Sequence, residues 1–197
     1  MSKFATAKFI SARFTTKNEP LKFNLKNILE TIVFYFKSTN EHGVHSPFVF
    51  DFLTKCLYQK NNKQKELIKE GNLNSKTTQA IFRILNYFKP QTICYVGHEL
   101  MNQNILFENI NVIKHENLEQ NIKVDAIIIS KAIDFEEFEN FSKEIHNDSF
   151  CLMLPSSKIL WNSIKNHKKV TVTIDCNHFM LVFFRKEQPK QNFLIRF

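Results

Sequence analysis

The chain has 197 residues, 43% of them hydrophobic, and a formal net charge of +8. This length suits one domain with a substantial apolar core, and the hydrophobic content excludes an intrinsically disordered protein. A membrane-spanning helix is excluded too, since it needs about 20 apolar residues and the longest apolar run covers only 179–184.

The positive charge comes almost entirely from lysine, because the only arginines are Arg13, Arg83, Arg185 and Arg196. Lysine, Asn, Ile and Phe are all abundant, and all have AT-rich codons, so a low-GC genome accounts for the bias without a partner. No arginine-rich patch with interleaved aromatics is present, which disfavours nucleic-acid binding. With only 3 glycines, phosphate-cradling loops for nucleotides are disfavoured as well.

The cysteines and histidines do not form a metal-binding pattern. The four cysteines lack a C-x-x-C pair and each has apolar neighbours, which predicts buried thiols in a reducing cytoplasm. The histidines do not cluster except at His42 and His45, where Gly43 and Pro47 predict a loop. No metal site is therefore predicted.

Residues 1–23 carry five cations and one acid and lack the continuous apolar core of a secretory signal, so they are predicted to form a flexible basic segment. Residues 24–74 are predicted to be an N-terminal helical region and linker. Its first helix has apolar residues at helical spacing, which predicts a buried stripe of Leu25, Ile28, Leu29, Ile32, Val33 and Phe36. After a loop over 40–45, Ser46 as N-cap and Pro47 start a second helix that ends near Tyr58. The lysine- and asparagine-rich residues 59–74 are the predicted linker.

Residues 75–197 alternate apolar runs with helix-length polar segments. A helix capped by Ser75 and ended by Lys89-Pro90 is followed by predicted strands at 92–96, 111–114, 125–129 and 150–154. Predicted helices over about 135–148 and 159–166 separate the later strands, and strands at 170–174 and 179–185 form a hairpin, with another short strand at 193–196. Continuous apolar strands alternating with helices predict a mainly parallel sheet covered on both faces.

Five stretches resemble a class I S-adenosylmethionine (SAM)-dependent methyltransferase family of the Bacteroidetes. They are 41–51 (EHGVHSPFVFD), 86–90, 145–149, 169–175 and 181–188. The resemblance implies an α/β fold with a Rossmann-like methyltransferase sheet, mainly parallel with a C-terminal antiparallel hairpin and preceded by an N-terminal helical segment. Residues 75–197 would then be a truncated methyltransferase domain.

The cofactor loop of that family follows the first strand, with an acid two residues before a glycine and a second glycine four residues after it. Here Gly97 is present, but Tyr95 stands at the acid position and Met101 at the second glycine. A methionine side chain there would obstruct the close backbone approach that a glycine allows.

The other strand ends also depart from the family. The segment 105–124 is too short for the usual second strand–helix unit, and only Glu108 or Glu116 could replace the ribose-binding acid. After strand 125–129, Ser130 stands where the family has an acid, and Ile133 stands where it has a histidine. After the next strand, 154–157 (Leu-Pro-Ser-Ser) stands where the family has an acidic pair. Gly97, His98, Glu99 and Ser130 are the candidates for any SAM contact, by position only.

No catalytic residue is assigned. His98, Ser130 and His178 lie near predicted strand ends and are candidate bases by position alone. In the signature 41–51, His42, His45 and Phe48 are candidates for contacts with a partner.

At the strand ends, the acidic and histidine residues and the second glycine that the family uses for binding and catalysis are replaced, whereas the apolar pattern within the strands is kept. This predicts a degenerate methyltransferase-like protein with weak or no SAM binding, acting as a binding or partner subunit. The alternatives are an active SAM-dependent methyltransferase of unknown acceptor and a basic protein- or RNA-interaction module.

Overall fold

Seven strands of the computed structural model form one sheet, in the order β2-β1-β3-β4-β6-β5-β7. The structure describes residues 25–59, 76–97, 107, 110–114, 122–154 and 157–197. The strands are β1 Thr92–Val96, β2 Asn111–Lys114, β3 Val124–Ile129, β4 Ile145–Met153, β5 Val172–Asp175, β6 Met180–Phe183 and β7 Gln191–Leu194. The predicted segment 1–23 and all of the predicted linker except Gln59 lie outside the described residues.

The strand directions confirm the predicted α/β Rossmann-like fold. Strands β2, β1, β3 and β4 pair in parallel, and β7 pairs in parallel with β5. Strand β6 lies between β4 and β5 and is antiparallel to both, so the predicted C-terminal hairpin is present. Among the described strands only β6 is reversed.

Helices cover both faces of the sheet, as continuous apolar strands require. One face packs against α2 (Pro47–Phe52), its π-helical continuation Leu53–Leu57, and α3 (Lys76–Phe88). The other face packs against α4 (Phe135–Phe141) and α5 (Lys158–Asn166). Successive β1 residues therefore alternate between two cores.

Local signals explain where several helices begin. Ser46 accepts a hydrogen bond from the Val49 N–H at 3.4 Å, so the predicted N-cap of α2 is confirmed. Asp134 and Glu137 form a capping box at the start of α4, which sequence analysis did not identify.

The predicted buried stripe of the first helix is wrong at its four members over 29–36, and the side chains of Leu25 and Ile28 lie outside the described residues. Helix α1 spans Leu25–Lys37, but Leu29 is 60% exposed, Phe36 is 88% exposed, and Ile32 and Val33 are also exposed. The buried side chain is Phe34, which lies outside the predicted stripe. Helical spacing tells which residues share a face, but not whether another element covers that face.

The predicted helix over 135–148 is also too long. Helix α4 ends at Phe141, and Ile145 begins β4 by pairing with Val124. A register shift follows, where Ser149 Oγ donates to the Val124 carbonyl at 2.6 Å and accepts from the His146 N–H at 2.8 Å. This β-bulge accommodates the polar residues that the sequence analysis placed at the helix end.

Candidate functional site

The carboxyl ends of β1, β3, β4 and β5 lie at the same end of the sheet, because these strands run in the same direction. Ligands of open α/β sheets bind beyond this end. The residues there include Gly97 after β1, Ser130 after β3 and Asp175 at the end of β5. Two candidate places lie at this end of the sheet: the expected cofactor position and a cavity beside Asp175.

At the expected cofactor position, Tyr95 and Ser130 are hydrogen-bonded to each other. The Tyr95 hydroxyl lies 2.7 Å from Ser130 Oγ, and the tyrosine side chain is 5% exposed. Its ring packs edge-on against Phe107, with centroids 6.0 Å apart. Two positions at which the resemblance expects acids are thus joined by a neutral hydrogen bond.

Gly97 lies directly against the residues that follow β3. Its φ is +121°, and a Cβ at this position would lie 2.7 Å from Ser130 Oγ and 2.8 Å from the Lys131 backbone nitrogen. Only glycine fits this conformation and this approach. The structure therefore brings together two of the four candidate SAM contacts, Gly97 and Ser130, whereas His98 and Glu99 lie outside the described residues. Their role in SAM binding stays a prediction.

The three candidates for partner contacts have different surroundings. His42 is 81% exposed and its Nε2 lies 3.5 Å from the Glu41 carboxylate, and His45 is also exposed. Phe48 is half-buried, with its ring edge-on to Phe183 and the Arg185 guanidinium 4.8 Å from its centroid. Packing accounts for Phe48, and the interaction role of all three stays a prediction.

A cavity of about 430 Å³ lies between α1, α5 and the ends of β5–β7. Its volume is typical of small-molecule pockets, which are mainly apolar with a few polar groups. Large apolar side chains form most of its wall: Leu29, Val33, Phe34, Trp161, Met180 and Leu194.

Asp175 places a carboxylate in this apolar cavity. Its Oδ1 accepts a hydrogen bond from the Asn177 N–H at 2.9 Å, and the Trp161 side chain also donates to it. Burial raises the pKa of Asp175 above its usual value, against the opposing effects of these hydrogen bonds and of Lys165. A carboxyl group with a raised pKa in a cleft is a candidate functional group.

Sequence analysis missed this site. It read 175–178 as a turn and considered only His178, which is exposed and whose backbone N–H donates to the Cys176 carbonyl at 2.8 Å. An acid ending a buried strand was the available signal. The cavity itself depends on α1 lying across α5, which no local pattern shows.

A second cavity, of about 380 Å³, lies at the opposite end of the sheet, near the start of β4. It is lined partly by Lys168, Lys169 and Lys186. The Lys169 ammonium already donates to the Ser142 carbonyl at 2.7 Å, so part of this charge holds the loop after α4.

The prediction of buried thiols is confirmed, since all four cysteines are buried and unpaired. Within the described part of the chain, no group of three His, Cys, Asp or Glu side chains is placed to hold a metal ion. No helix in that part has the length and apolar content needed to cross a membrane.

Comparison with known proteins gives little beyond this geometry. No protein-family model and no curated protein matches the chain. A solved structure similar to it is the crystal structure of a Klebsiella pneumoniae protein assigned as an O-methyltransferase. The similarity covers 70% of this chain and 96% of that one, with 9% sequence identity and a TM-score of 0.38. A similarity this low does not support an assignment of fold or function, so the fold assignment rests on strand order and direction.

Proposed function

We propose that this protein is a methyltransferase-like protein that binds SAM weakly or not at all and does not transfer methyl groups. The observation that carries the proposal is the hydrogen bond between Tyr95 and Ser130, 2.7 Å long. It occupies both positions at which the family resemblance calls for acids.

The pair changes the chemistry of the expected site in two ways. A carboxylate offers only acceptors and a negative charge, whereas the two hydroxyls are neutral and one donates to the other. A ligand that displaced either hydroxyl would have to break that hydrogen bond, whose net contribution is about 0.5–1.5 kcal/mol. Both effects oppose the binding of a cofactor.

Among the described residues, neither of the candidate bases Ser130 and His178 is free at the expected cofactor position, and the third candidate, His98, lies outside the described residues. Ser130 is hydrogen-bonded to Tyr95, and His178 lies exposed on the β5–β6 turn. A base must reach the proton that it removes, within hydrogen-bond distance or through one water. These placements support a non-catalytic role, such as a binding or partner subunit.

Calorimetry and thermal shift with SAM and S-adenosylhomocysteine test the proposal on the unmodified chain. A site saturated at 100 times its dissociation constant would add about 2.7 kcal/mol, or about 5–10 °C in Tm for a chain of this size. We expect no heat and no shift at millimolar cofactor. A saturable shift of several degrees would refute the proposal and favour an active methyltransferase.

A gain-of-function variant tests the cause. Tyr95→Glu with Met101→Gly restores the two family residues and should create measurable SAM affinity. Tyr95→Phe with Met101→Gly is the matched control, which removes the same hydroxyl and the same methionine without adding a carboxylate. If both variants fold and bind SAM equally, the acid at position 95 is not the missing element.

A further inference from the structure

We infer that the cavity beside Asp175 is a binding site for a small organic cation, with an apolar body and a protonated amine. The inference rests on this cavity alone and not on the fate of the SAM position. Three features carry it: a carboxylate without a counter-ion among the described residues, an aromatic wall, and an ion pair at the cavity that occupies its lysine Lys158.

The Asp175 carboxylate has hydrogen-bond donors but no counter-ion in the part of the chain that the structure describes. The Asn177 N–H and the Trp161 side chain donate to it, and no described lysine, arginine or histidine forms an ion pair with it. Lys165 acts only as a more distant charge. Because burying a charge is costly unless it is paired, a cationic ligand would supply what the protein leaves out.

The two lysines that line the cavity do not fill this role. Lys158 Nζ lies 2.8 Å from Glu30 Oε1, an ion pair that joins α5 to α1 at the cavity. Lys37 is exposed at the end of α1 and forms no ion pair within the described residues. The charge of Glu30 is thus neutralised locally, whereas that of Asp175 is not.

The wall suits the rest of such a ligand. Trp161 and Phe34 are both buried yet line the cavity, and an indole face is the best aromatic partner for a cation. Aliphatic side chains from α1 and β7, Leu29, Val33 and Leu194, complete an apolar surface. Burial of an aryl or alkyl body there would contribute about 25 cal/mol per Å² of apolar surface.

A neutral isostere separates this inference from simple hydrophobic binding. 2-Phenylethylamine, 2-phenylethanol and 3-phenylpropionate present the same ring with a cationic, neutral or anionic end. Trp161 is the only tryptophan in the chain, so its fluorescence, excited where these probes do not absorb, reports binding at this cavity. On the unmodified chain we expect saturable binding of the amine, at least tenfold tighter than that of the alcohol, and none of the carboxylate.

Asp175→Asn is the direct variant. Its amide oxygen can still accept from the Asn177 N–H, so this contact of the β5–β6 turn can be kept while the charge is removed. We expect the affinity for the amine to fall at least tenfold, to that of the alcohol. The matched control is Asp148→Asn, an exposed aspartate paired with Arg185, which should keep the full preference for the amine.

The outcomes that overturn the inference are specific. Equal binding of amine and alcohol by the unmodified chain would show a purely apolar pocket, and preference for the carboxylate would show an anion site governed by Lys37. Absence of any change in Trp161 fluorescence up to tens of millimolar amine would show no site. Retention of the amine preference in Asp175→Asn would place the cation elsewhere. The probe series needs no variant, so it decides even if Asp175→Asn does not fold.

Discussion

Replacing Gly97 with alanine should destabilise the protein more than any ordinary surface substitution. The added Cβ would lie 2.7 Å from Ser130 Oγ and 2.8 Å from the Lys131 backbone nitrogen. The serine hydroxyl could turn away, but the backbone nitrogen cannot, because the Ser130 N–H just before it is tied to the Val96 carbonyl at 2.9 Å. The strand end would have to move.

The magnitude follows from two costs. Holding a non-glycine residue at a φ near +121° costs about 1–3 kcal/mol. Forcing a methyl group against packed backbone costs about 1–3 kcal/mol more. We therefore expect a loss of about 3 kcal/mol, which corresponds to a fall of about 6–12 °C in Tm for a chain of this size.

Gly43→Ala is the matched control. Its added Cβ would lie 2.0 Å from Thr39 Oγ1 and 3.1 Å from Thr39 Cβ, so the threonine side chain must rotate and give up its hydrogen bond to the Asn40 carbonyl, but all three contacts are with one side chain and the φ of Gly43 is not in the left-handed region. Its cost should be smaller, about 1 kcal/mol, partly offset by the lower entropy of the unfolded chain.

Urea unfolding followed by circular dichroism measures both free energies of unfolding. Adding Ser130→Ala to Gly97→Ala should restore only part of the loss, because the contact with the Lys131 nitrogen remains. The reasoning is refuted if Gly97→Ala costs no more than about 0.5 kcal/mol, or if Gly43→Ala costs as much.

Three further predictions concern thiols, pH and capping. Burial raises the pKa of Cys56 to about 12 and of Cys94 to about 11, and it raises the pKa of the other two thiols further. The native thiols should therefore react with DTNB far more slowly than free cysteine, and all four should react in denaturant. One fast-reacting native thiol would contradict this. Burial lowers the pKa of His167 below its ordinary 6.5, although Glu139 opposes the shift. As the pH falls, the histidine is protonated in the unfolded chain before it is protonated in the folded one, so the free energy of unfolding should fall from pH 7 towards pH 5. If His167→Gln loses stability as steeply over that range, another group is responsible. Asp134→Ala should lower the free energy of unfolding in urea by about 1 kcal/mol, because it removes the N-cap of α4. Asp148→Ala should lower it less, and equal losses would refute the capping argument.

The sequence predicted the strands of the parallel sheet well. The predicted bounds of β1 and β2, 92–96 and 111–114, are those of the structure, and the hairpin of β5 and β6 is present. A strand buried on both faces is a continuous apolar run that ends at turn residues such as Gly97, so neighbouring residues in the sequence determine where it begins and ends. The start of α2 was equally local, because an N-cap acts over three residues.

The candidate site was predictable only in part. Tyr95 and Ser130 were identified as departures from the family pattern, but their hydrogen bond joins residues 35 positions apart and needs β1 and β3 to be neighbours. Whether the two altered positions only lack the family's acids or also bond to each other depends on the distance between their side chains. The sequence alone does not give that distance.

Tertiary structure also decided where the surfaces and cavities lie. The apolar period of α1 fixed which residues share a face, yet the placement of the helix through Phe34 and the Glu30–Lys158 pair left that face exposed. The same placement encloses Asp175 in a cavity, so that burial rather than any neighbour in the chain raises its pKa. Local order comes from the chemistry of adjacent residues, whereas burial is set by whichever distant elements cover a residue, and for this protein burial produces the candidate site.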